Sequence, residues 1–462
     1  MVWALAAQAE PKNNAPPNRN MPTGGGLLQL VAQGKQDIYL TGNPQLSFFK
    51  MVYRRHTNFA TESLPMYFDG TPNFGQRISC LVPRRGDLLS KVYLRVTLPQ
   101  LTLQGTSGEL ASYCNAIGHA LIEEINIVVG EQEIDRQTGE WMEIWSQLTT
   151  PASQRQALDT MIGRVDAYMP PNIIPAPDGL TLYIPLQFWF CRNSGLALPL
   201  LALQYNPIRI NIKLAPLQKL FWTGALLEEP CAENVEVNPA KLLSCMLWGE
   251  YIYLDEEERR KFTSTSQEYL IEQVQYTSPI AAPVSQQTVN IPIEFNHPLR
   301  EFIFVAQRDV MPRYHEYFNY SSLAIGEIFT TPAPPPLGNI LAPGQIRTDL
   351  ITDAVLKLDG YDRFEPRDPL YFRVVQPYEH HTTTPVESYI YCYSFAIQPE
   401  QTQPSGSMNA SRINNIVWQM NMNQALNVPG FFSRGNCTVR IYAINHNIFR
   451  SQEGFGGLLF KI

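Results

Sequence analysis

Charge is scarce in this sequence, and dense basic runs are missing from it. Charged residues make up 17% of its 462 residues, below the roughly 25% of an average globular domain. This shortage favours a protein that buries much of its surface against other chains. The formal net charge is −7, whereas a chain that coats nucleic acid usually carries a basic face. Direct nucleic-acid binding is therefore not expected.

Long apolar runs and cysteine motifs are also lacking. No stretch reaches the ~20 apolar residues of a membrane-spanning helix, and the start MVWALAAQAEPKNN has no basic leader. The cysteines are irregularly spaced and form no C-x-x-C pair, so neither a zinc site nor a disulfide framework is predicted. We expect a soluble protein made in the cytoplasm, with reduced thiols, no metal and no cofactor. The seven cysteines are Cys80, Cys114, Cys191, Cys231, Cys245, Cys392 and Cys437.

Catalytic signatures are absent too: the sequence has no P-loop, GxGxxG, GxSxG or HExxH motif. The glycine-rich stretch 454–457 is not followed by a β-α unit, so a close-packed turn is predicted rather than a phosphate cradle. Arg85-Gly86-Asp87 matches an integrin-binding tripeptide, but between two predicted strands its Gly and Asp are typical of a turn. No catalytic residue is predicted.

Acidic residues and a histidine pair were weighed as sites. A glycosidase needs two carboxyl groups facing each other across a sugar. Strand alternation predicts that Glu123 and Glu124 point to opposite faces, which favours a half-exposed strand and turn. His380 and His381 are adjacent, so on a strand they also point apart, and metal binding is not predicted. The other carboxylates considered with Glu123 and Glu124 are Glu131, Glu133 and Asp135.

Chain breakers and aromatic residues are plentiful, with 37 Pro, 28 Gly, 22 Tyr and 22 Phe. This composition is typical of short strands joined by long loops. Because a single hydrophobic core stops growing at roughly 250–300 residues, a chain of 462 residues predicts two domains. Residues 1–24, rich in Pro, Asn and Ala, are predicted to be a flexible arm.

The order of predicted strands occurs twice along the chain. The letters barely match, but the order and spacing of the elements do, which indicates two copies of one β fold. We expect the copies at 25–258 and 268–462, joined by a linker at 259–267. Three stretches and their later counterparts carry this repeat: 76–98 and 287–307, 198–215 and 404–420, and 241–255 and 437–450.

Each of the two repeats has a long insertion, at about 130–182 and 311–350. We expect these insertions to form contacts between subunits and the outward surface. Thr150-Pro151 predicts an N-cap with Pro at the first helical position, and Gly163 predicts the end of that helix. A helix just before it is predicted by apolar residues at i, i+3, i+4 and i+7, namely Trp141, Ile144, Trp145 and Leu148.

Several long stretches resemble the major capsid proteins of nucleocytoplasmic large DNA viruses, the group of iridoviruses, phycodnaviruses and giant viruses. They follow one another in order through both halves of the chain. The clearest are GGGLLQLVAQGKQDIYLTGNPQLSFFKMVYRRHTNF (24–59), AIGHALIEEINIVVGEQEIDRQTGEWMEIWSQLT (116–149), YIYLDEEERRKF (251–262), QPSGSMNASRINN (403–415) and IYAINHNIFRSQEGFGGLLF (441–460).

The resemblance implies an all-β fold of two tandem eight-stranded antiparallel jelly rolls, a double jelly-roll, with a few short helices in loop insertions. It implies a structural subunit that forms homotrimers of pseudo-hexagonal outline, and these capsomers tile an icosahedral shell. It further implies minor capsid proteins beneath the shell, an internal membrane contacted at most indirectly, and assembly in the host cytoplasm into the virion.

Other functions stay open at this point. One is a less abundant capsid paralogue, and another is a glycan-binding or receptor-binding β-sandwich displayed on the virion. A glycoside hydrolase is a more distant third, which the carboxylates named above do not favour.

Overall fold

The structure, a computed structural model, describes residues 25–103, 110–165, 173–222, 237–324, 347–424 and 435–460. Internal contacts divide the chain into two units, residues 1–56 and 57–462. In the first unit, helices α1 (Gly25–Val31) and α2 (Ile38–Thr41) are described. The predicted arm, 1–24, lies outside the described residues.

The second unit is built mainly from strands, with short helices between them. Its strands are β1 (Phe59–Met66), β2 (Arg77–Leu81), β3 (Leu88–Leu98), β4 (Leu101–Leu103), β5 (Leu110–Tyr113), β6 (Ile122–Val129), β7 (Gln132–Gln137), β8 (Leu180–Pro185), β9 (Ile208–Leu214), β10 (Phe221–Trp222), β11 (Val237–Asn238), β12 (Ser244–Leu254), β13 (Gln267–Tyr276), β14 (Ile280–Ala282), β15 (Thr288–Ile293), β16 (Pro298–Arg308), β17 (Ile351–Leu358), β18 (Tyr361–Asp362), β19 (Tyr391–Ser394), β20 (Met408–Asn409), β21 (Ile416–Met422), β22 (Cys437–Gln452) and β23 (Phe455–Leu458). Its helices are α3 (Ile117–Ala120), α4 (Gly139–Thr149), α5 (Ala152–Ile162), α6 (Trp189–Arg192), α7 (Glu256–Ser264) and α8 (Gln376–His380), the last preceded by a π-helical turn, Tyr371–Val375.

Two sandwiches share one strand order. In the first, sheet β1-β12-β3-β8 packs against sheet β2-β9-β6-β7, and in the second, β13-β22-β16-β19 packs against β15-β21-β17-β18. Within these four sheets, neighbouring strands pair antiparallel. Each strand of the two sheets of the first sandwich therefore has a counterpart at the same place in the second sandwich. The small sheet β10-β5-β4-β11 is an addition to the first half.

A β-bulge lies at the same position in both halves. Along β12, Glu250 pairs with Lys91 of β3, and the pairing then skips Ser90. Along β22, Ile444 pairs with Glu301 of β16, and the pairing then skips one residue, Arg300. The shared bulge makes Ser90 and Arg300 equivalent positions. Shared order and shared bulge confirm the predicted repeat and the double jelly-roll fold class.

Strand alternation builds the two cores. In β9, Ile208, Ile210, Ile212 and Leu214 are buried while Arg209 and Lys213, which alternate with them, are exposed, the pattern of a strand with one buried face. In the second sandwich Trp418 of β21 lies in an aromatic cluster, with ring centroids 5.0 Å from Phe304 and 5.9 Å from Phe302 and Phe372.

The predicted helices form within the first insertion. Helix α4 covers the predicted apolar stripe, and α5 begins at Ala152, one residue later than predicted, because Pro151 rather than Thr150 is its N-cap. Gly163 ends α5 in the left-handed conformation, as predicted. Between the sandwiches, α7 and the first residue of β13 occupy the stretch that was predicted as a linker.

Candidate functional site

Glu123 and Glu124 lie on the same face of β6, so the prediction that alternation separates them is wrong. The register of β6 against β9 shifts between Ile122 and Glu124, because Glu123 is the extra residue of a bulge. The Glu123 carboxylate lies 2.7 Å from Lys213 Nζ, and that of Glu124 lies 3.2 Å from Arg77 Nη2. Lys213 and Arg77 are cross-strand neighbours, so both acids are paired on one sheet surface.

The other candidate carboxylates follow along the β6–β7 hairpin. Glu131 is exposed at the turn, and Glu133 pairs with an arginine of its own strand. Asp135 is buried and accepts hydrogen bonds from the backbone N–H of Val274, at 3.0 Å, and from the Gln137 side chain, at 2.7 Å. Burial raises the pKa of Asp135 to about 6. Because Val274 belongs to β13, Asp135 connects the two sandwiches.

His380 and His381 lie at the end of α8, not on a strand as supposed. His380 Nδ1 is 3.0 Å from the carbonyl oxygen of Ile397, whereas the His381 ring lies between Glu301 and Glu400, 3.0 Å from each carboxylate. Burial alone would lower the pKa of His381, but the two carboxylates raise it well above its usual value. The ring is therefore a buried cation in an ion triad.

The tripeptide and the glycine-rich stretch both form tight local structure. Asp87 is 6% exposed, and its carboxylate accepts hydrogen bonds from Leu254 N, at 2.8 Å, and from Arg259 Nε, at 2.9 Å. That carboxylate is engaged within the chain rather than displayed. Gly454 forms the β22–β23 turn, and a Cβ at Gly456 would lie 2.3 Å from a Leu203 methyl group, so this stretch is the predicted close-packed turn.

Chemical sites are sparse in the part of the chain that the structure describes. There, no three His, Cys, Asp or Glu side chains are placed to share a metal ion. The six cysteines within the described ranges are thiols, and burial raises the thiol pKa of Cys80 to about 11 and of Cys191 and Cys245 to about 12. Cys231 lies outside those ranges. No helix described here combines the length and apolar character needed to cross a bilayer.

The largest feature that the sequence did not indicate is the contact between the sandwiches. The apolar stripe of α4 packs on the outer face of sheet β13-β22-β16-β19. The first insertion was predicted to form contacts between subunits, but this face of α4 is buried against the second sandwich of the same chain. One cluster unites Trp141, Ile144, Trp145 and Leu148 of α4 with side chains that include Val274, Ile303, Val305, Tyr442 and Ile444.

Glu140 anchors α4 through charge. The Arg440 guanidinium lies 2.6 Å from its carboxylate, and the hydroxyls of Tyr442 and Tyr320 donate to the same carboxylate at 2.6 and 3.0 Å. Burial would lower the pKa of Arg440, but Glu140 raises it above its usual value. A charge-assisted cluster of this kind orients the helix on the sheet.

A second ionic cluster joins the sandwiches beside it. Glu272 of β13 pairs with Arg192 of α6 at 2.6 Å and with Arg300 at 2.5 Å. Burial would raise the pKa of Glu272, but Arg300 and Arg192 together lower it. The Arg192 guanidinium also lies 4.4 Å from the ring centroid of Trp145. Single charged residues scattered over the sequence gave no signal for these partners, because Glu272 is 80 residues from Arg192 and 28 residues from Arg300, which lies on a different strand.

Two tandem jelly rolls that pack against each other define a class of viral coat protein. Comparison with family sequence profiles places the chain in the same class. Residues 47–255 match the family described as "Major capsid protein N-terminus", and residues 258–457 match the family described as "Large eukaryotic DNA virus major capsid protein".

Relatives cover nearly the whole chain. It is 37% identical to the major capsid protein of Pyramimonas orientalis virus, over 95% of this chain and 100% of the relative. It is 35% identical to that of Phaeocystis pouchetii virus, over 95% and 99%. The major capsid protein of Paramecium bursaria Chlorella virus 1 is 33% identical, over 94% and 99%.

Solved structures give the same result. The PBCV-1 VP54 crystal structure fitted into a cryo-EM reconstruction of the virophage Sputnik matches 90% of this chain and 100% of its own, with a TM-score of 0.71 and 28% identity. The Faustovirus major capsid protein shares the fold, with a TM-score of 0.68 at 13% identity over 92% of this chain and 96% of its own. The chain belongs to the major capsid protein family of large eukaryotic DNA viruses. It is a structural capsid subunit, which confirms that it is not an enzyme.

Proposed function

We propose that the chain forms a homotrimer of pseudo-hexagonal outline, and that these capsomers tile the facets of an icosahedral shell. The observation that carries this is the duplicated jelly roll with its shared bulge. Three copies around a threefold axis repeat one heterologous contact and close a ring. Because each copy contributes two similar lobes, the ring presents six, and a near-hexagon fills a flat facet.

The two lobes are assigned to residues 25–258 and 268–462, with 259–267 joining them. In support, the last strand of the first sandwich ends at Leu254 and the first strand of the second begins at Gln267. Obligate contacts between subunits run at roughly 2,000 Å² or more, which suits the low charged fraction of the sequence.

Partners beneath the shell are minor capsid proteins, and the internal membrane is reached only through them. Support comes from residues 25–56, where large apolar side chains are exposed: Tyr39 at 92%, Phe48 at 93% and Phe49 at 100%. Exposed apolar side chains grouped in this way mark protein-binding segments. Assembly takes place in the host cytoplasm, without direct contact to nucleic acid, which suits the net negative charge.

Light scattering on the purified full chain tests the homotrimer. The expected mass is three times the chain's 52.4 kDa, about 157 kDa, and it persists on dilution to micromolar concentration. A folded monomer of 52.4 kDa under those conditions would contradict the proposal. The copy number per virion, measured by quantitative mass spectrometry, separates a dominant shell protein from a less abundant paralogue.

A further inference from the structure

A cavity of about 490 Å³ lies between the two sandwiches, next to helix α4. Its wall is formed by α4 and α5 of the first half and by residues 315–320 and 383–388 of the second half. Val386 and Glu387 in this wall are exposed to solvent, so the cavity opens there to the protein surface. Volumes of roughly 300–1,000 Å³ are typical of sites that bind small molecules.

The charged side chains of α4 and α5 in this wall neutralise one another. The Glu143 carboxylate pairs with Arg164 and lies 2.7 Å from His119 Nδ1. Arg164 also lies 2.8 Å from the Asp159 carboxylate, and Arg155 lies 3.6 Å from the same oxygen. This side of the cavity is therefore polar but carries no uncompensated charge.

The remaining charged groups of the wall do not change this balance. Arg347 is set against Glu316 and Glu387, so among the described residues four carboxylates stand against three guanidinium groups. Glu387 is exposed, and its charge is screened by solvent. The wall has no surplus positive charge that would select a phosphate or a sulfate, and no metal-binding group of three His, Cys, Asp or Glu occurs in the described residues. A neutral ligand fits this wall best.

Two buried polar atoms of the wall define what that ligand must offer. Gln147 Nε2 donates to Glu143 Oε1 at 2.7 Å, which fixes the amide, because a flip would place Oε1 against the carboxylate. Within the described ranges, Gln147 Oε1 then has no donor and Trp222 Nε1 has no acceptor, although these side chains belong to residues only 6% and 9% exposed. Buried polar atoms without partners are unfavourable. Because a hydroxyl group both donates and accepts, a ligand with several hydroxyl groups can satisfy both atoms.

Aromatic rings form another part of the wall. His315 Nδ1 lies 2.7 Å from the carbonyl oxygen of Phe221, which brings His315 and Trp222 to neighbouring positions. The His315 and Tyr317 rings stack with centroids 5.8 Å apart. Flat aromatic surfaces beside a few fixed polar groups are typical of small-molecule sites, and they suit the apolar C–H face of a sugar ring.

We propose that this cavity binds a neutral saccharide, whose ring packs on the aromatic side chains and whose hydroxyl groups bond to Gln147 Oε1 and Trp222 Nε1. Both sandwiches contribute to the wall, so neither half of the chain forms the site alone. The proposal gives the shell subunit a ligand-binding role, and it does not rest on the homotrimer, because each copy holds the whole site.

Trp222→Phe tests the hydrogen bond from the indole in the purified full chain. The probes are the methyl glycosides of glucose, galactose, mannose and N-acetylglucosamine, measured by saturation-transfer NMR and calorimetry. At least one glycoside is expected to bind saturably, and the variant should raise its dissociation constant about fivefold, the effect of one lost hydrogen bond. The matched control is Trp248→Phe, which should bind as wild type does, because Trp248 Nε1 also lacks a partner in the described structure but lies on β12, outside the cavity.

Val386→Trp tests the opening of the cavity. A larger side chain there should block entry and abolish binding, whereas Val284→Trp, at a residue outside the wall, should not. Val386 and Val284 are 46% and 37% exposed, so both variants should keep the melting transition of wild type. Failure of every glycoside to bind folded wild-type protein at millimolar concentration would overturn the site. Binding that neither Trp222→Phe nor Val386→Trp weakens would also overturn it, and binding of inorganic phosphate or sulfate alone would overturn the neutral ligand.

Discussion

Arg440 and Glu140 form an ion pair that joins the two jelly rolls, with Arg440 Nη2 donating to Glu140 Oε1 at 2.6 Å. Glu140 opens helix α4 in the first half, and Arg440 lies on β22 in the second. Both side chains are less than one-fifth exposed. The pair therefore links the two sandwiches, and its removal should lower the free energy of unfolding.

Replacing Glu140 with Gln should lower the free energy of unfolding by about 3 kcal/mol, because it leaves the Arg440 cation buried without its carboxylate. Denaturant titration measures the loss. The matched control is Glu256→Gln, which breaks a pair with Arg260 whose side chains are 79% and 75% exposed, and exposed pairs contribute below about 1 kcal/mol. Equal effects in the two variants would show that Glu140 does not anchor α4.

Truncating Trp141 to Ala should cost about 3–5 kcal/mol, as a large cavity opens in the contact between sandwiches. Trp141 is fully buried, and its ring centroid lies 5.5 Å from those of Trp145 and Tyr442. Thermal unfolding by calorimetry is expected to show a lower midpoint. The control Tyr361→Ala, on the exposed β17–β18 hairpin, should change the free energy of unfolding by no more than about 0.5 kcal/mol. Equal losses in the two variants would show that the α4 contact does not stabilise the protein more than an exposed side chain does.

The buried carboxyl of Asp135 predicts a pH dependence. Its folded pKa is raised from 3.8 to about 6, so the native state holds the proton more tightly, and the stability this confers is lost as pH rises from about 4 to about 6. Asp135→Asn removes that loss. The amide oxygen of the variant can still accept from Val274, but its NH2 group faces Gln137 Nε2, which also donates to the carbonyl oxygen of Gln187 at 3.0 Å, so the variant loses one hydrogen bond at every pH.

The free energy of unfolding of Asp135→Asn, relative to that of wild type, should therefore rise by up to about 3 kcal/mol between pH 4 and pH 8, since one unit of pKa corresponds to about 1.4 kcal/mol. Melting temperatures across this range give the comparison. A difference that does not change with pH would exclude a raised pKa at Asp135.

His381 predicts the opposite dependence. Its folded pKa is raised well above the unfolded value, so the stability of the triad is present at and below pH 6.5 and declines as pH rises through the folded pKa. His381→Gln, which leaves the fully buried Glu301 without its cation, should cost about 3 kcal/mol at pH 6.5. The cost should shrink at alkaline pH. A constant cost across the range would indicate a neutral ring in the native protein.

Local patterns in the sequence predicted local structure well. The spacing of Trp141, Ile144, Trp145 and Leu148 gave helix α4, and Gly163 gave the end of α5, because caps and helix faces depend on near neighbours. The same pattern could not tell what α4 covers, since its partners lie on strands more than 120 residues later. The prediction for Glu123 and Glu124 was wrong for a related reason. A bulge adds a residue to the strand without a recognisable sequence pattern, and the alternation of side chains between the two faces is interrupted there.

Buried charge was the part that the sequence could not indicate. Glu140 and Arg440 look like ordinary surface residues until the fold places them together, and His381 stood out only for its neighbour His380, with which it shares no site. The repeat of strand order was visible because it is a pattern over the whole chain. The residues that join the two copies are not repeated, so no comparison of the halves could find them.

A cryo-EM map of purified virus particles is the measurement that tests the central claim most directly. The account predicts a shell of capsomers with six lobes each, into which three copies of this chain fit, with both jelly rolls of every copy occupied by density. Capsomers that contain one lobe per chain, or a shell with no density for this chain, would contradict it.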